Sequence, residues 1–233
     1  MKAIFKKEMN IYSNTVIGTV FISVFMIAAT IYFYMYNIAS ESSSMLYLFQ
    51  DMDVIMLVLI PLLTMRLMSE EKKNKTDQLL LTAPVSVPEI ILGKYFAAVA
   101  IFGAALLITL IFPAAIVIFG KPAVGILVGS YIGFFLKGCV YIAIGLFISS
   151  LTENQIVSAL LMFLVMVLFF IMDTLASVFP AIDPVISFIS VNARVTEFYL
   201  GSFNFEHIIY YLSMIALFLF YSVKMVERRR YNK

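Results

Sequence analysis

The chain has 233 residues, of which 63% are hydrophobic and 13% are charged, and its mean hydropathy is +1.02. A soluble domain is about 45–50% apolar and about 25% charged, so this composition excludes a soluble protein and indicates an integral membrane protein. The net charge of +2 is too small to indicate nucleic-acid binding, and the single cysteine excludes an intrachain disulfide.

The N-terminal region predicts an interfacial helix followed by a first membrane span. Residues 1–14 combine lysines with apolar side chains, a pattern typical of a helix that lies on a membrane surface. No charged residue occurs between Glu8 and Glu41, so the first span is predicted over residues 15–38, long enough to cross a core of about 30 Å. Residues 39–44 carry one acid and no base, which places them outside.

The second span is predicted to contain two acidic residues. Asp53 and Arg66 are separated by a stretch that is shorter than the ~20 apolar residues a crossing helix needs. A start near Met45 gives the required length but draws Asp51 and Asp53 into the outer leaflet. Arg66 then reaches the interface at the inner end of the span.

Residues 66–94 form the longest polar interruption of the chain. The segment holds nine charged residues, five of them Lys or Arg. It cannot lie in hydrocarbon, because burying an unpaired charge is strongly unfavourable. The excess of basic residues in a short loop places the segment on the cytoplasmic side of the membrane.

Two local patterns organise this cytoplasmic region. Residues 76–82 begin with polar side chains and end with three leucines, which predicts either a short helix with an apolar face or a solvated loop. Ser86 and Glu89 have the spacing of a capping box, in which each side chain binds the other's exposed backbone N–H. A helix that begins there continues directly into the next apolar run.

The rest of the chain predicts four further spans and two short outer helices. Thirteen of the 16 Lys and Arg residues then fall at inner positions, which places both termini in the cytoplasm. The whole chain, residues 1–233, is thus predicted to be one all-α membrane domain with six spans. The spans are predicted over residues 95–119, 124–150, from a capping box at Thr152 to residue 172, and 207–226; residues 173–206 lie outside or re-enter, with helices at 185–191 and 195–200.

The fourth predicted span carries two unusual features. Gly125, Gly129 and Gly133 recur every four residues, which is typical of a helix face that packs closely on another helix. Lys137 lies near the middle of the span, and a charge at that depth must face a wet cavity or a partner. We therefore consider a polar path formed with Asp51 and Asp53, either at a subunit interface or as a structural ion pair within the bundle.

The sequence contains no signature of catalysis, of a metal site or of nucleotide binding. No phosphate-binding loop occurs, and His207, the single histidine, has no second histidine with which to share a metal. His207 is interpreted as an interfacial residue at the start of the last span. We expect no catalytic residue, no metal ligand and no cofactor bound by this chain.

Three groups of residues resemble the permease subunits of ABC transporters of the type-2 exporter class, and the nearest subgroup is that of the gliding-motility-associated permeases. The first group is the cytoplasmic region and the second surrounds the turn between the fourth and fifth spans. They read MRLMSEEK (65–72), LLLTAPVS (79–86) and EIILGK (89–94), then GLFISSLTENQ (145–155), and more weakly residues 198–201, 210–213 and 215–219.

The resemblance implies a homo- or heterodimer of six-span subunits in a bacterial-type cytoplasmic membrane. It also implies a separate ATPase subunit, which would carry ATP and Mg²⁺ and would dock on a coupling helix between spans two and three. The leucines would enter a groove of the ATPase and the polar residues would contact its rim. The expected interface residues are Glu70, Glu71, Thr76, Gln78, Leu79, Leu80, Leu81 and Glu153.

Two other functions fit a six-span membrane protein. A channel or an ion-coupled carrier would need no ATPase, but such carriers often show internal repeats, and we find no convincing repeat here. A membrane scaffold has no sequence feature in its favour. The substrate is not indicated by any motif.

Overall fold

The computed structural model describes residues 1–76, 85–119, 123–178 and 190–231, and every regular element in these ranges is helical. The helices follow one another as α1 (Lys2–Asn14), α2 (Val16–Phe33) with a π-helical end (Tyr34–Ile38), α3 (Leu46–Thr64), α4 (Ser69–Lys73), α5 (Val87–Ile108), α6 (Ile111–Phe119), α7 (Val124–Leu151), α8 (Gln155–Val178), α9 (Val191–Tyr199) and α10 (Phe205–Tyr231).

The described residues contain six helical segments that are long and apolar enough to cross a membrane, which confirms the predicted all-α six-span fold. The third span begins earlier than predicted, because its helix already starts at the capping box near residue 86. Spans one to six are Val16–Ile38, Leu46–Lys73, Val87–Ile118, Val124–Leu151, Gln155–Met172 and Phe205–Arg229.

Span four lies at the centre of the bundle. In an 18-residue apolar stretch of this span 78% of the residues are buried, whereas the corresponding shares in spans five and six are 17% and 11%. The ring of Phe134 in span four packs against Phe25, Phe49 and Phe102 of spans one, two and three, with centroid distances of 5.2–6.2 Å. Aromatic burial therefore joins the first four spans into one core.

The two ends of the bundle differ in their surroundings. At one end, called the basic end, α1 contacts the start of α5, α4 contacts the end of α7, and the last turns of α10 reach residue 153. At the opposite end, residues 39–45 join spans one and two, and α9 packs against the first half of α7. These placements agree with the predicted arrangement of loops and short helices.

Span three is interrupted at Thr109 and Leu110, between α5 and α6. Pro113 has no N–H, so it cannot donate the bond that a continuous helix would direct to the Thr109 carbonyl. That carbonyl accepts instead from Phe112 N and from the Tyr131 hydroxyl of span four, at 3.0 Å each. The interruption is thus bridged by a side chain of the central helix.

One predicted capping box is confirmed and the other is wrong. Ser86 N donates to Glu89 Oε2 at 3.3 Å, and the pair forms the expected box at the start of α5. At the start of α8, Asn154 Oδ1 accepts from Ile156 N at 2.9 Å, so Asn154 caps the helix in place of Thr152. Thr152 supports the turn, because its Oγ1 accepts from Asn154 N at 3.1 Å.

Several predicted segments are only partly covered by the structure. The N-terminal helix is present as α1, and its position in a membrane interface stays a prediction. The outer helix predicted at 195–200 corresponds to α9, which begins four residues earlier. The helix predicted over 76–82, after its first residue, and most of the one at 185–191 lie outside the described residues.

Candidate functional site

The end of span four binds residues 68–72, which directly precede the region predicted to contact the ATPase. Met68 N and Ser69 N both donate to Ser149 Oγ, at 3.0 and 3.1 Å. These amides lie at the N-terminus of α4, where a helix has no backbone acceptors of its own. The Lys72 ammonium also donates to the backbone oxygen of Ser150. The end of span four thus fixes the position of α4, which is the last part of span two.

A cluster of four charged side chains, three of them buried and the fourth, Lys7, half exposed, lies beside this segment. Lys94 Nζ lies 2.7 Å from Glu8 Oε1 and 3.0 Å from Glu71 Oε2, and Lys7 Nζ lies 2.9 Å from Glu71 Oε1. Lys94 is only 1% exposed. Two cations and two carboxylates alternate in the cluster, so its formal charge is zero. We call these four residues the basic-end cluster; it connects α1, α4 and α5.

At Lys7 the neighbouring carboxylates together raise the pKa more than partial burial lowers it. Partial burial alone would lower the pKa of the Lys7 ammonium. The hydrogen bond to Glu71 and the attraction of neighbouring carboxylates act in the opposite direction and raise the pKa above its ordinary value. Lys7 therefore remains a cation at physiological pH and balances the second carboxylate of the cluster.

Helix α4 ends in a Schellman motif. Thr76 N donates to the Glu71 carbonyl at 2.9 Å and Lys75 N donates to the Lys72 carbonyl at 3.1 Å. Lys75 occupies the left-handed position, with φ of 56°, where glycine is usual. The motif turns the chain sharply immediately before the segment with the three leucines.

The two predicted interface acids differ in environment. Glu71 is 9% exposed and faces Lys7 and Lys94, so its contribution to any interface is indirect. Glu70 lies on the outer side of the same helix and forms an ion pair with Arg66 at 2.8 Å. Its carboxylate is 35% exposed and remains accessible to a partner.

The other predicted interface residues lie on the same end of the bundle or beyond the described ranges. Thr76 is exposed after α4. Glu153 is exposed in the turn between spans four and five and contacts Arg229 of α10 at 3.2 Å. The residues outside the described ranges are Gln78, Leu79, Leu80 and Leu81.

Lys137 is part of a polar cluster inside the bundle. It is 1% exposed, and its Nζ lies 2.5 Å from Asp53 Oδ2 and 3.2 Å from Asn192 Oδ1. The Tyr141 hydroxyl donates to the same amide oxygen at 3.0 Å. Of the two acids considered as partners of Lys137, the structure shows Asp53. Asp51 takes no part, because it accepts from the Tyr36 hydroxyl of span one.

This intramembrane cluster attaches α9 to spans two and four. Asn192 lies at the start of α9 and accepts hydrogen bonds from two side chains of span four. The predicted glycine face meets the same helix, since a Cβ at Gly129 would lie 2.2 Å from the Phe198 carbonyl oxygen and one at Gly133 2.7 Å from Phe198 Cβ. Absence of side chains at these positions lets α9 approach span four closely.

A third polar group joins α9 to the start of span six. His207 is 8% exposed and its Nε2 lies 2.7 Å from Glu197 Oε2, which also accepts from Asn204 Nδ2 at 2.7 Å. The hydrogen bond to His207 lowers the pKa of the Glu197 carboxyl below its ordinary value. His207 thus has a structural partner in addition to its predicted position at a span start.

Sequence reasoning missed Glu8, Lys94 and Asn192. A signal for Glu8 was available, because Ile4, Glu8 and Tyr12 recur every four residues and form the buried face of α1. A charged residue within an apolar stripe needs a buried partner of opposite charge. No comparable local pattern marks Asn192, whose partners lie more than 50 residues away.

Comparison with protein families identifies the family of the chain. A family model described as an ABC-2 family transporter protein matches residues 2–223. A search of curated proteins finds no match for this chain. The matched region includes the first five spans, most of the sixth, the segment 65–76 and the basic-end cluster. The protein therefore belongs to the ABC-2 transporter family, as a multi-pass permease component of an ABC transporter.

Proposed function

We propose that the chain couples ATP hydrolysis, performed by a separate ATPase subunit, to the export of a substrate. The observation that supports this proposal most strongly is the attachment of residues 65–76 to three other elements. Ser149 and Ser150 hold the segment to span four, and Lys94 and Lys7 hold it to span three and α1 through Glu71. A force applied to this end of the bundle is therefore transmitted to several spans at once.

In the proposed mechanism the ATPase binds ATP and Mg²⁺ and closes against the basic end. Its movement would push the helix predicted over residues 76–82, and the push would pass through α4 to spans two, three and four. The leucines of this region, Leu79, Leu80 and Leu81, would fill a groove of the ATPase, with Gln78 and Thr76 beside them. Glu70 and Glu153 would contact the rim, while Glu71 stabilises α4 from within.

The proposal places the basic end in the cytoplasm of a bacterial-type cell membrane. The distribution of Lys and Arg supports this orientation. A second permease subunit, identical or different, would complete the transporter. Within the family, we assign the chain to the gliding-motility-associated subgroup on its cytoplasmic motifs.

The proposal is tested with Glu70→Lys and Leu80→Asp in membranes that contain the ATPase subunit. We expect either change to reduce co-purification of the ATPase or to separate ATP hydrolysis from transport. Glu206→Lys is the control, because it reverses an exposed acid that also pairs with an arginine but lies at the opposite end of the bundle. Full coupling in both variants at normal protein levels would reject the assignment. Transport that continues without the ATPase would instead support an ATP-independent carrier.

A further inference from the structure

A cavity of about 620 Å³ lies at the end of the bundle opposite α1. Its size is in the range of small-molecule sites, about 300–1,000 Å³. Phe33 and Ile38 of span one form one apolar wall, and Ala115 and Ile116 of α6 form the other. The cavity thus lies between two spans, where the tail of a membrane amphiphile can enter.

One side of the cavity is polar and contains a buried amide. Asn37 is 7% exposed, and its Nδ2 donates to the carbonyls of Ser42 and Ser44 at 2.8 and 3.1 Å. These two acceptors fix the orientation of the amide, because only the nitrogen can donate to them. Asn37 Oδ1 is buried and has no hydrogen-bond partner among the described residues. A buried acceptor left in this way is destabilising, and a bound donor would satisfy it.

A carboxylate completes the polar side. Glu41 lines the same cavity and forms no ion pair with any residue that the structure describes. Its backbone has a φ of 50°, in the left-handed region that residues other than glycine rarely adopt. The loop from span one to span two therefore places a negative charge beside an acceptor that lacks a donor.

We propose that this cavity binds a membrane amphiphile with a primary ammonium head group. The N–H groups of the ammonium would donate to Asn37 Oδ1, and its charge would pair with Glu41. The alkyl chain would lie along the apolar walls formed by spans one and three. A carboxylate or phosphate head group would be repelled by Glu41, and a quaternary ammonium would lack the donor that Asn37 requires. This binding does not depend on the ATPase subunit.

The absence of tryptophan from the chain allows a direct binding measurement. A single tryptophan is introduced at Val117, which is 62% exposed and adjacent to the cavity wall, or at Val157, which is 41% exposed and lies near the basic end. The full-length protein in nanodiscs is titrated with a brominated dodecylamine. We expect saturable quenching at position 117 and only gradual, unsaturable quenching at position 157.

Three variants separate the parts of the proposed site. Ala115→Leu fills the cavity without removing the hydrogen bonds of Asn37, and Asn37→Leu removes the acceptor; each should weaken amine binding about tenfold. Glu41→Gln should weaken binding of the amine but not of the brominated alcohol of the same chain length. The trimethylammonium and carboxylic acid analogues should bind more weakly than the amine.

Two results would overturn the proposal. One is equal, unsaturable quenching at both reporter positions, which would show simple partition into the bilayer. The other is unchanged amine binding in folded Ala115→Leu and Glu41→Gln proteins, since neither variant removes a hydrogen bond described within the chain.

Discussion

Lys94 and Glu8 are 86 positions apart in the sequence, and their charged atoms lie 2.7 Å apart in a buried site. Replacing Lys94 by methionine would leave two carboxylates, those of Glu8 and Glu71, without their shared cation. We expect Lys94→Met to destabilise the protein by about 3–5 kcal/mol, the range for breaking a buried ion pair. Thermal unfolding of the purified protein, followed by circular dichroism in detergent, measures the change.

Thermal unfolding of a triple variant tests whether unpaired carboxylates cause the loss of stability in Lys94→Met. Lys94→Met together with Glu8→Gln and Glu71→Gln removes the unpaired charges and should recover most of the lost stability. Lys73→Met is the matched control, because Lys73 is exposed on α4 and should change stability little. Equal melting temperatures for Lys94→Met and Lys73→Met would contradict the prediction.

The pair of Lys137 and Asp53 should show strong coupling in a double-mutant cycle. Lys137→Met leaves a carboxylate inside the bundle, and Asp53→Asn leaves an ammonium there, so each single change is strongly destabilising. The double variant has no unpaired charge and should be more stable than either single one. A coupling energy of about 1–3 kcal/mol is expected from the cycle.

Additive effects in this cycle would show that the two charges do not stabilise each other. Asp51→Asn serves as the comparison for an acid in the same helix, since its partner is Tyr36 and not Lys137. Its effect should be independent of the residue at position 137.

Two glycines of span four, Gly129 and Gly125, should respond differently to replacement by alanine. Gly129→Ala places a methyl group 2.2 Å from the Phe198 carbonyl oxygen, so α9 must move away. We expect a loss of about 1–3 kcal/mol, as for overpacking of a filled core. Gly125→Ala is the control, because nothing lies within 4 Å of its added Cβ. Thermal unfolding should separate the two variants, and an equal loss in both would refute the steric explanation.

Two substitutions of Lys75, at the end of α4, should have opposite effects on the melting temperature. Lys75 has a φ of 56°, a conformation that disfavours L-residues by about 1–2 kcal/mol and glycine not at all. Lys75→Gly should therefore keep or slightly raise the melting temperature, while Lys75→Val should lower it clearly. The reverse order would mean that the Schellman motif does not form in solution.

The contact of α9 with span six should weaken in acid. The folded state holds the pKa of Glu197 below its ordinary value of about 4.3, mainly through the hydrogen bond with His207. The stabilisation is therefore complete above that value and is lost as the pH falls through the lower, folded-state pKa. The protection factors of the α9 amides, which are corrected for the intrinsic pH dependence of exchange, should fall between pH 6 and pH 3 in the wild type, whereas Glu197→Gln should show a smaller pH dependence.

The spans could be predicted from the sequence because hydrocarbon imposes a length and excludes charge. The start of span two near Met45 illustrates this, since only that choice gave a helix long enough to cross. The start of α5 could also be predicted, because the capping box of Ser86 and Glu89 involves only side chains and backbone groups within one turn. Such features depend on neighbours in sequence and so are visible in it.

The partners of the charged residues could be predicted only in part. Sequence reasoning named Asp53 as one of two possible partners for Lys137, since depth in the membrane restricts the choice. It assigned Glu71 to an external interface, because nothing local shows that Lys7 and Lys94 converge on the same carboxylate. Long-range pairing depends on how helices pack, and the apolar pattern of a membrane helix says little about which face turns inward.

The interruption of span three gives this helix a joint within the bundle. The carbonyl at Thr109 is bridged by the Tyr131 side chain, whose torsions can follow a change in the angle between α5 and α6. A continuous run of backbone hydrogen bonds would resist such a change. A change of the angle at this joint would leave the bond between Tyr131 and Thr109 intact. Because Ala115 and Ile116 of α6 line the adjoining cavity, the same change would widen or narrow that cavity.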